Sequence, residues 1–205
     1  MQIRIQYAST GRGLVKDAQI LADILRAQGV DVTIDALTPR PLPPERLAAR
    51  LNRLLCRLNA RRLEQCFTHI EQRFIPQDAV PHVDINIHLE TVFRSRLARA
   101  NRNILIPNQE WFRPEWRRVL CLLDDVACKT HLAMDVFGRI APANVRVEYM
   151  GFTSPTPDCI EARVKDECLH LAGRSPLKGT AAVIEAWARH PEWPTLNVLG
   201  EGVVG

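Results

Sequence analysis

The strongest constraint on this chain is the alternation of short apolar runs with longer stretches of helical periodicity. Residues 2–7 predict a strand, and Leu14, Ile20, Leu21, Ile24 and Leu25 predict a helix over 14–28 that Gly29 stops. Val30–Ile34 gives the next strand. Pro39, Pro41, Pro43 and Pro44 break regular structure, and Pro44-Glu45 opens one long helical stretch to about Phe74. Then follow a strand at Val83–Ile87, a helix at about 90–100, and a strand at Ile104–Ile106 closed by Pro107. A helix from Pro114 to about Leu123, a strand at Val126–Lys129, a helix at 131–139 and a strand at Val145–Met150 complete the series. A repeated βα order predicts an α/β fold, Rossmann-like, with a mostly parallel sheet and helices on both faces. Ligands of such sheets collect at the carboxyl ends of the strands.

Pro155 and Pro157 fall in a stretch with little apolar periodicity, so a first domain is expected over 1–152 and a linker over 153–167. A fresh βαβ unit occupies 168–205: strand Cys168–Ala172, loop Gly173–Gly179, helix Thr180–His190 and strand Leu196–Leu199. One such unit cannot bury a core by itself. It is therefore either an incomplete second Rossmann-like domain or a unit that packs on something else.

Composition fits a globular protein, at 46% hydrophobic and 24% charged residues. No run approaches the roughly 18–20 apolar residues of a spanning helix, and the opening Met1-Gln2-Ile3-Arg4-Ile5 reads as a strand, not a signal peptide. Six cysteines carry no C-x-x-C pair, and several stand in apolar runs. Reduced, buried thiols in a cytoplasmic protein are expected, with no metal site.

The most specific segment runs from Leu171 to Thr180, LAGRSPLKGT, between a strand and a helix. Gly173 and Gly179 allow tight turning, and Thr180 suits a helix cap. Arg174 and Lys178 then stand at a strand's carboxyl end beside a helix N-terminus, a place that favours anions. Two cations there suit a diphosphate, Arg gripping two oxygens at once; solvated loop cations are the other reading. The order K-G-T excludes a Walker A loop.

The run GRSPLKGTAAVIEAW…HPEWPTLNVLG, Gly173 to Gly200, resembles the donor-domain opening of GT-B fold, family 4-type sugar-nucleotide glycosyltransferases. The resemblance is close over about thirty residues. It is looser over 1–150, where it rests on the βα order, the glycine turn after strand one and NILIPNQEWF (Asn103–Phe112). It implies transfer of a sugar from a nucleotide-sugar donor, a co-substrate and not a cofactor, to an acceptor hydroxyl. Arg174 and Lys178 inherit the family's diphosphate contacts. The family continues with a paired-glutamate motif that Glu201–Gly205 does not supply, so the resemblance also reads the second domain as truncated. A catalytically incomplete fragment is the alternative.

Two segments of the first domain are candidate cleft and acceptor residues. Gly11, Arg12 and Gly13 follow strand one; a tight βα turn explains them equally, since the third glycine of a dinucleotide fingerprint is replaced by Lys16. Asn108, Glu110 and Trp111 follow the strand ending at Ile106, and carboxylates, amides and flat rings are what a sugar site uses. Glu110 is the candidate to orient or deprotonate the acceptor hydroxyl. A helix entry with Trp111 in the core is the other reading. Glu90 and His131, each near a strand end, are further candidates.

The charge of +4 is concentrated. Arg40 to Arg62 holds seven Arg and one acid, Glu45, more positive charge than the whole chain nets. Arg46, Arg50, Arg53, Arg57 and Arg61 recur at helical steps, opposite an apolar face of Leu47, Leu51, Leu54, Leu55 and Leu58. A solvated Arg face on an amphipathic surface helix is one reading. Contact with an anionic surface is the other, either membrane lipid headgroups, as a peripheral protein, or an acceptor carrying phosphate. The lack of interleaved aromatics argues against nucleic acid.

Overall fold

The computed structural model describes residues 1–9, 12–38, 51–154, 166–172 and 178–200. The chain divides into two compact units, Met1–Pro155 and Thr156–Gly205.

The first unit is an α/β, Rossmann-like fold. Six strands form one parallel sheet: β1 (Gln2–Ala8), β2 (Asp31–Leu37), β3 (Val83–Leu89), β4 (Ala100–Ile106), β5 (Asp125–Cys128) and β6 (Arg146–Tyr149), in the order β2-β1-β3-β4-β5-β6. Helices α1 (Arg12–Ala27), α2 (51–57), α3 (Arg61–Gln72) and α4 (His131–Ile140) flank it. The two stretches expected as α-helices at about 90–100 and 114–123 are 3-10 helices, Arg94–Arg99 and Pro114–Leu122.

Register decides which side chains share a face. Ile3, Ile5 and Tyr7 of β1 stand beside Ile85, Ile87 and Leu89 of β3. They form a core with Leu14, Ala18, Leu21 and Ala22 of α1, whose spacing puts those residues on one stripe. The opposite face begins polar. Arg4 is level with Asn86 and Asn103, and Gln6 with His88. All five are buried. Toward β4 and β5 the same face becomes apolar again, where Leu105, Val126 and Cys128 pack under Leu120, Ala133 and Phe137.

The long helix expected from Pro44 to Phe74 is two helices. Asn59 takes a left-handed φ of 52°, its N–H donates to the Cys56 carbonyl, and Ala60 N–H donates back to Leu55. That pair of bonds is the Schellman ending of a helix. The same pattern closes α1 at Gly29, with φ of 76° and bonds from Gly29 to Arg26 and Val30 to Leu25. The five-arginine stripe is therefore broken: Arg53 and Arg57 lie on α2, Arg61 opens α3, and Arg46 and Arg50 lie outside the described residues. Nor is the leucine face a core face, because Leu51, Leu54 and Leu58 are exposed.

Of the five described cysteines, Cys121 and Cys128 are buried, Cys56 and Cys168 are half-buried and Cys66 is exposed, and all five are free thiols. Cys159 lies outside the described residues.

The second unit carries a parallel pair, β7 (Glu167–Leu171) and β8 (Thr195–Leu199), joined through α5 (Thr180–Ala188). Trp187 Nε1 donates to the Pro194 carbonyl at 2.8 Å, and Trp193 packs edge-on against Trp187 and flat against His190. These rings lock the α5–β8 turn.

Candidate functional site

The sheet reverses direction of growth at β1: β2 is added on one side and β3 on the other. The carboxyl ends of β1 and β3 are adjacent, Tyr7 level with Leu89, and this is the topological switch point where open α/β sheets bind ligands. Ser9 donates its backbone N–H to Leu37, and its Oγ lies 3.4 Å from Thr38 Oγ1. Glu90 holds a φ of 60°, a left-handed conformation uncommon for an L residue, with its N–H donated to Ile106 at 2.9 Å. Gly11 and the side chain of Arg12 lie outside the described residues, whereas Gly13 sits in the first turn of α1 with open space around its Cα.

The next strand end is a closed turn. Asn108 Oδ1 accepts the Glu110 N–H at 3.3 Å, and Trp111 N–H bonds back to the Asn108 carbonyl. The Asn108 carboxamide thus shapes the loop, and the Glu110 carboxylate is exposed. The reading that puts Trp111 in the core does not hold, since Trp111 is 49% exposed; Phe112 packs inward, edge-on to Phe137 at 4.8 Å and to Trp116 at 6.1 Å.

Beyond β5, Lys129 pairs with Asp17 of α1 at 3.1 Å and lies over the Phe152 ring at 5.1 Å. Thr130 Oγ1 accepts the Ala133 N–H and caps α4. His131, in the first turn of α4, is exposed and stacks on Tyr149 with centroids 4.0 Å apart. Lys129 and Asp17 were not among the sequence candidates. Lys129 follows a predicted strand, which was the available signal; Asp17 gave none, being one polar residue on a helix. No hydrogen bond links Glu90, Glu110 and His131 among the described residues, so the structure does not join them into one catalytic set.

Beneath the strand ends, His88 is fully buried. Its Nδ1 accepts the Phe93 N–H at 3.2 Å, which places the ring proton on Nε2, toward Asn103 Oδ1 at 3.4 Å. Burial drives its pKa down from 6.5 to about 4, the Asn103 contact opposing only weakly, so the ring is neutral. Asn86 and Asn103 anchor the neighbouring 3-10 helix by donating to the Arg96 and Leu97 carbonyls. At the opposite end of the sheet, burial pushes Asp125 upward. Hydrogen bonds from Arg102 and Arg146 outweigh that and hold its carboxyl below the usual range.

In the second unit the strand-to-helix turn ends with Lys178 and Gly179. Gly179 has φ of 64° and is the N-cap of α5, its carbonyl accepting the Val183 N–H. Lys178 Nζ donates to the Leu171 carbonyl at 2.9 Å, at the last residue of β7. Its ammonium is therefore held at the carboxyl end of that strand, and the side chain remains exposed. His170 and Thr180 meet at 3.0 Å across the same turn. Gly173 and Arg174 lie outside the described residues. Among the described residues no cluster of three or more His, Cys, Asp or Glu could hold a metal ion.

Fold and strand ends define an α/β protein of Rossmann-like class with a parallel sheet. No family model, curated protein or solved structure matches the chain.

Proposed function

We propose that this chain serves sugar transfer from a nucleotide-sugar donor to an acceptor hydroxyl, with Arg174 and Lys178 gripping the donor diphosphate. The observation that carries this reading is the placement of Lys178. Its ammonium is tethered at the carboxyl end of β7, one residue before the left-handed Gly179 that opens α5. A helix N-terminus and a fixed cation together favour a phosphate group. The resemblance of Gly173–Gly200 to the donor-domain opening of family 4-type enzymes supplies the substrate class. Positive groups in this position stabilise the leaving diphosphate as the glycosidic bond to it breaks. In the first unit, the exposed Glu110 and His131 are the candidates to meet the acceptor hydroxyl and take its proton.

The test is calorimetry of the full chain with a panel of UDP- and GDP-sugars. Lys178→Ala and Arg174→Ala should each weaken binding by about 10- to 100-fold, the worth of a charge-assisted hydrogen bond. A folded chain that binds none of the panel overturns the reading.

A further inference from the structure

The α2–α3 segment is inverted relative to an ordinary amphipathic pair. Residues 51–74 contain two carboxylates, Glu64 and Glu71, and both are buried. Glu64 is taken by Arg117, and Glu71 by Arg94 and Arg118. Thr68 stands between them on the same stripe, its hydroxyl donating to the Glu64 carbonyl. The inner face of α3 is thus acidic and polar, and it docks through arginines from elsewhere in the fold.

The outer surface carries what is left. Arg53, Arg57, Arg61, Arg62 and Arg73 are exposed with no acidic residue of the segment beside them in solvent. Among them are Leu51, Leu54, Leu58, Leu63, Ile70 and Phe74, all exposed, Leu58 at 67% and Phe74 at 70%. On α3 the exposed Leu63 and Ile70 lie seven residues apart, each one residue behind a buried glutamate, Glu64 and Glu71, and the exposed Phe74 follows the helix end. Six large apolar side chains exposed within 24 residues, interleaved with arginines, are what an interaction surface carries.

We propose that the α2–α3 surface docks on an anionic lipid bilayer, its leucines, Ile70 and Phe74 entering the headgroup boundary and its arginines meeting lipid phosphates. Net positive charge, with no exposed carboxylate within residues 51–74, selects an anionic partner. Large aliphatic side chains interleaved with the arginines select a partner that is apolar just beneath its charged layer. A bilayer offers both. Nucleic acid offers phosphates but no place for five aliphatic side chains, and the patch has a single exposed aromatic ring for stacking. No helix among the described residues is long and apolar enough to cross a membrane, so the contact is parallel to the surface.

The experiment is co-sedimentation of the full chain with phosphatidylglycerol/phosphatidylcholine vesicles, and with phosphatidylcholine alone. The wild type should pellet with the anionic vesicles only. Arg53→Gln/Arg57→Gln/Arg62→Gln should weaken that binding by about 100-fold. Leu54→Ser/Leu58→Ser/Ile70→Ser should weaken it at least about tenfold at an unchanged melting temperature, since these side chains are exposed. The proposal is overturned if the wild type stays in the supernatant or if the apolar variant binds as well as wild type. Tighter binding to a DNA or RNA oligonucleotide than to vesicles at equal salt overturns it as well.

Discussion

Arg94 and Glu71 form an ion pair 2.9 Å long between Nη1 and Oε2, with both side chains only 2% exposed. Arg118 reaches the same carboxylate oxygen, and Gln72 Oε1 accepts from Arg94 Nε at 2.9 Å. This cluster joins α3 to both 3-10 helices, where an ordinary α/β protein would use aliphatic packing. Removing one partner from such a cluster leaves uncompensated charge in a dry place. Glu71→Ala should therefore lower the unfolding free energy by about 3–5 kcal/mol, read as the shift in urea midpoint. A loss under about 1 kcal/mol would mean that the cluster is solvated.

His88 makes stability depend on acidity. Its folded pKa of about 4 lies below the usual 6.5, so the unfolded chain takes up a proton over that range and the folded chain does not. The stability is whole above pH 6.5 and is lost as pH falls toward 4, by at most about 3 kcal/mol. Urea midpoints between pH 7 and 4.5 should fall for the wild type and flatten for His88→Gln. Parallel slopes would contradict the burial of a neutral ring.

Thiol reactivity should follow burial. Desolvation pushes Cys121 and Cys128 up to about 11; Cys128 is buried among apolar neighbours, and Cys121 is buried with its thiol donating to the Arg118 carbonyl at 3.1 Å. At pH 8, iodoacetamide should modify the exposed Cys66 quickly and leave Cys121 and Cys128 untouched until the chain is denatured. Peptide mass spectrometry over time gives the order.

Glu90 offers a test of backbone strain at the switch point. Its φ of 60° costs an L residue about 1–2 kcal/mol, and more with a β-branched side chain. Glu90→Gly should leave stability within about 1 kcal/mol of wild type, relief and chain entropy opposing each other. Glu90→Val should lower the urea midpoint further than Glu90→Ala does. Equal effects would show that the conformation is not strained.

The α/β order was legible because the strands of the sheet are short apolar or alternating runs, several closed by a turn residue such as Ser9, Pro107 or Gly151, and such runs need no distant partner to be recognised. The ends were less so: β4 begins at Ala100, four residues before its apolar part, because Ala100, Arg102 and Asn103 pair with β3, Arg102 also being held by Asp125 of β5 and Asn103 by Asp124 just before it. The break at Asn59 left a trace, since Asn is the residue after glycine that best tolerates a left-handed helix ending. An unbroken leucine and arginine periodicity on both sides concealed it. The inner face of α3 was not legible at all. Glu64 and Glu71 are ordinary surface residues until Arg94, Arg117 and Arg118 come in from later in the chain. In the candidate site, Lys178 was found from its place between strand and helix, while Lys129–Asp17 depends on a contact across 112 residues.

The inverted α3 also reverses the usual rule for altering a helix. Its exposed Leu63 and Ile70 are the tolerant positions, open to lysine or glutamate with gain in solubility and little loss of fold, while its glutamates are the residues that engineering must leave alone. Alignments scored on hydrophobic conservation would weight this helix the wrong way round.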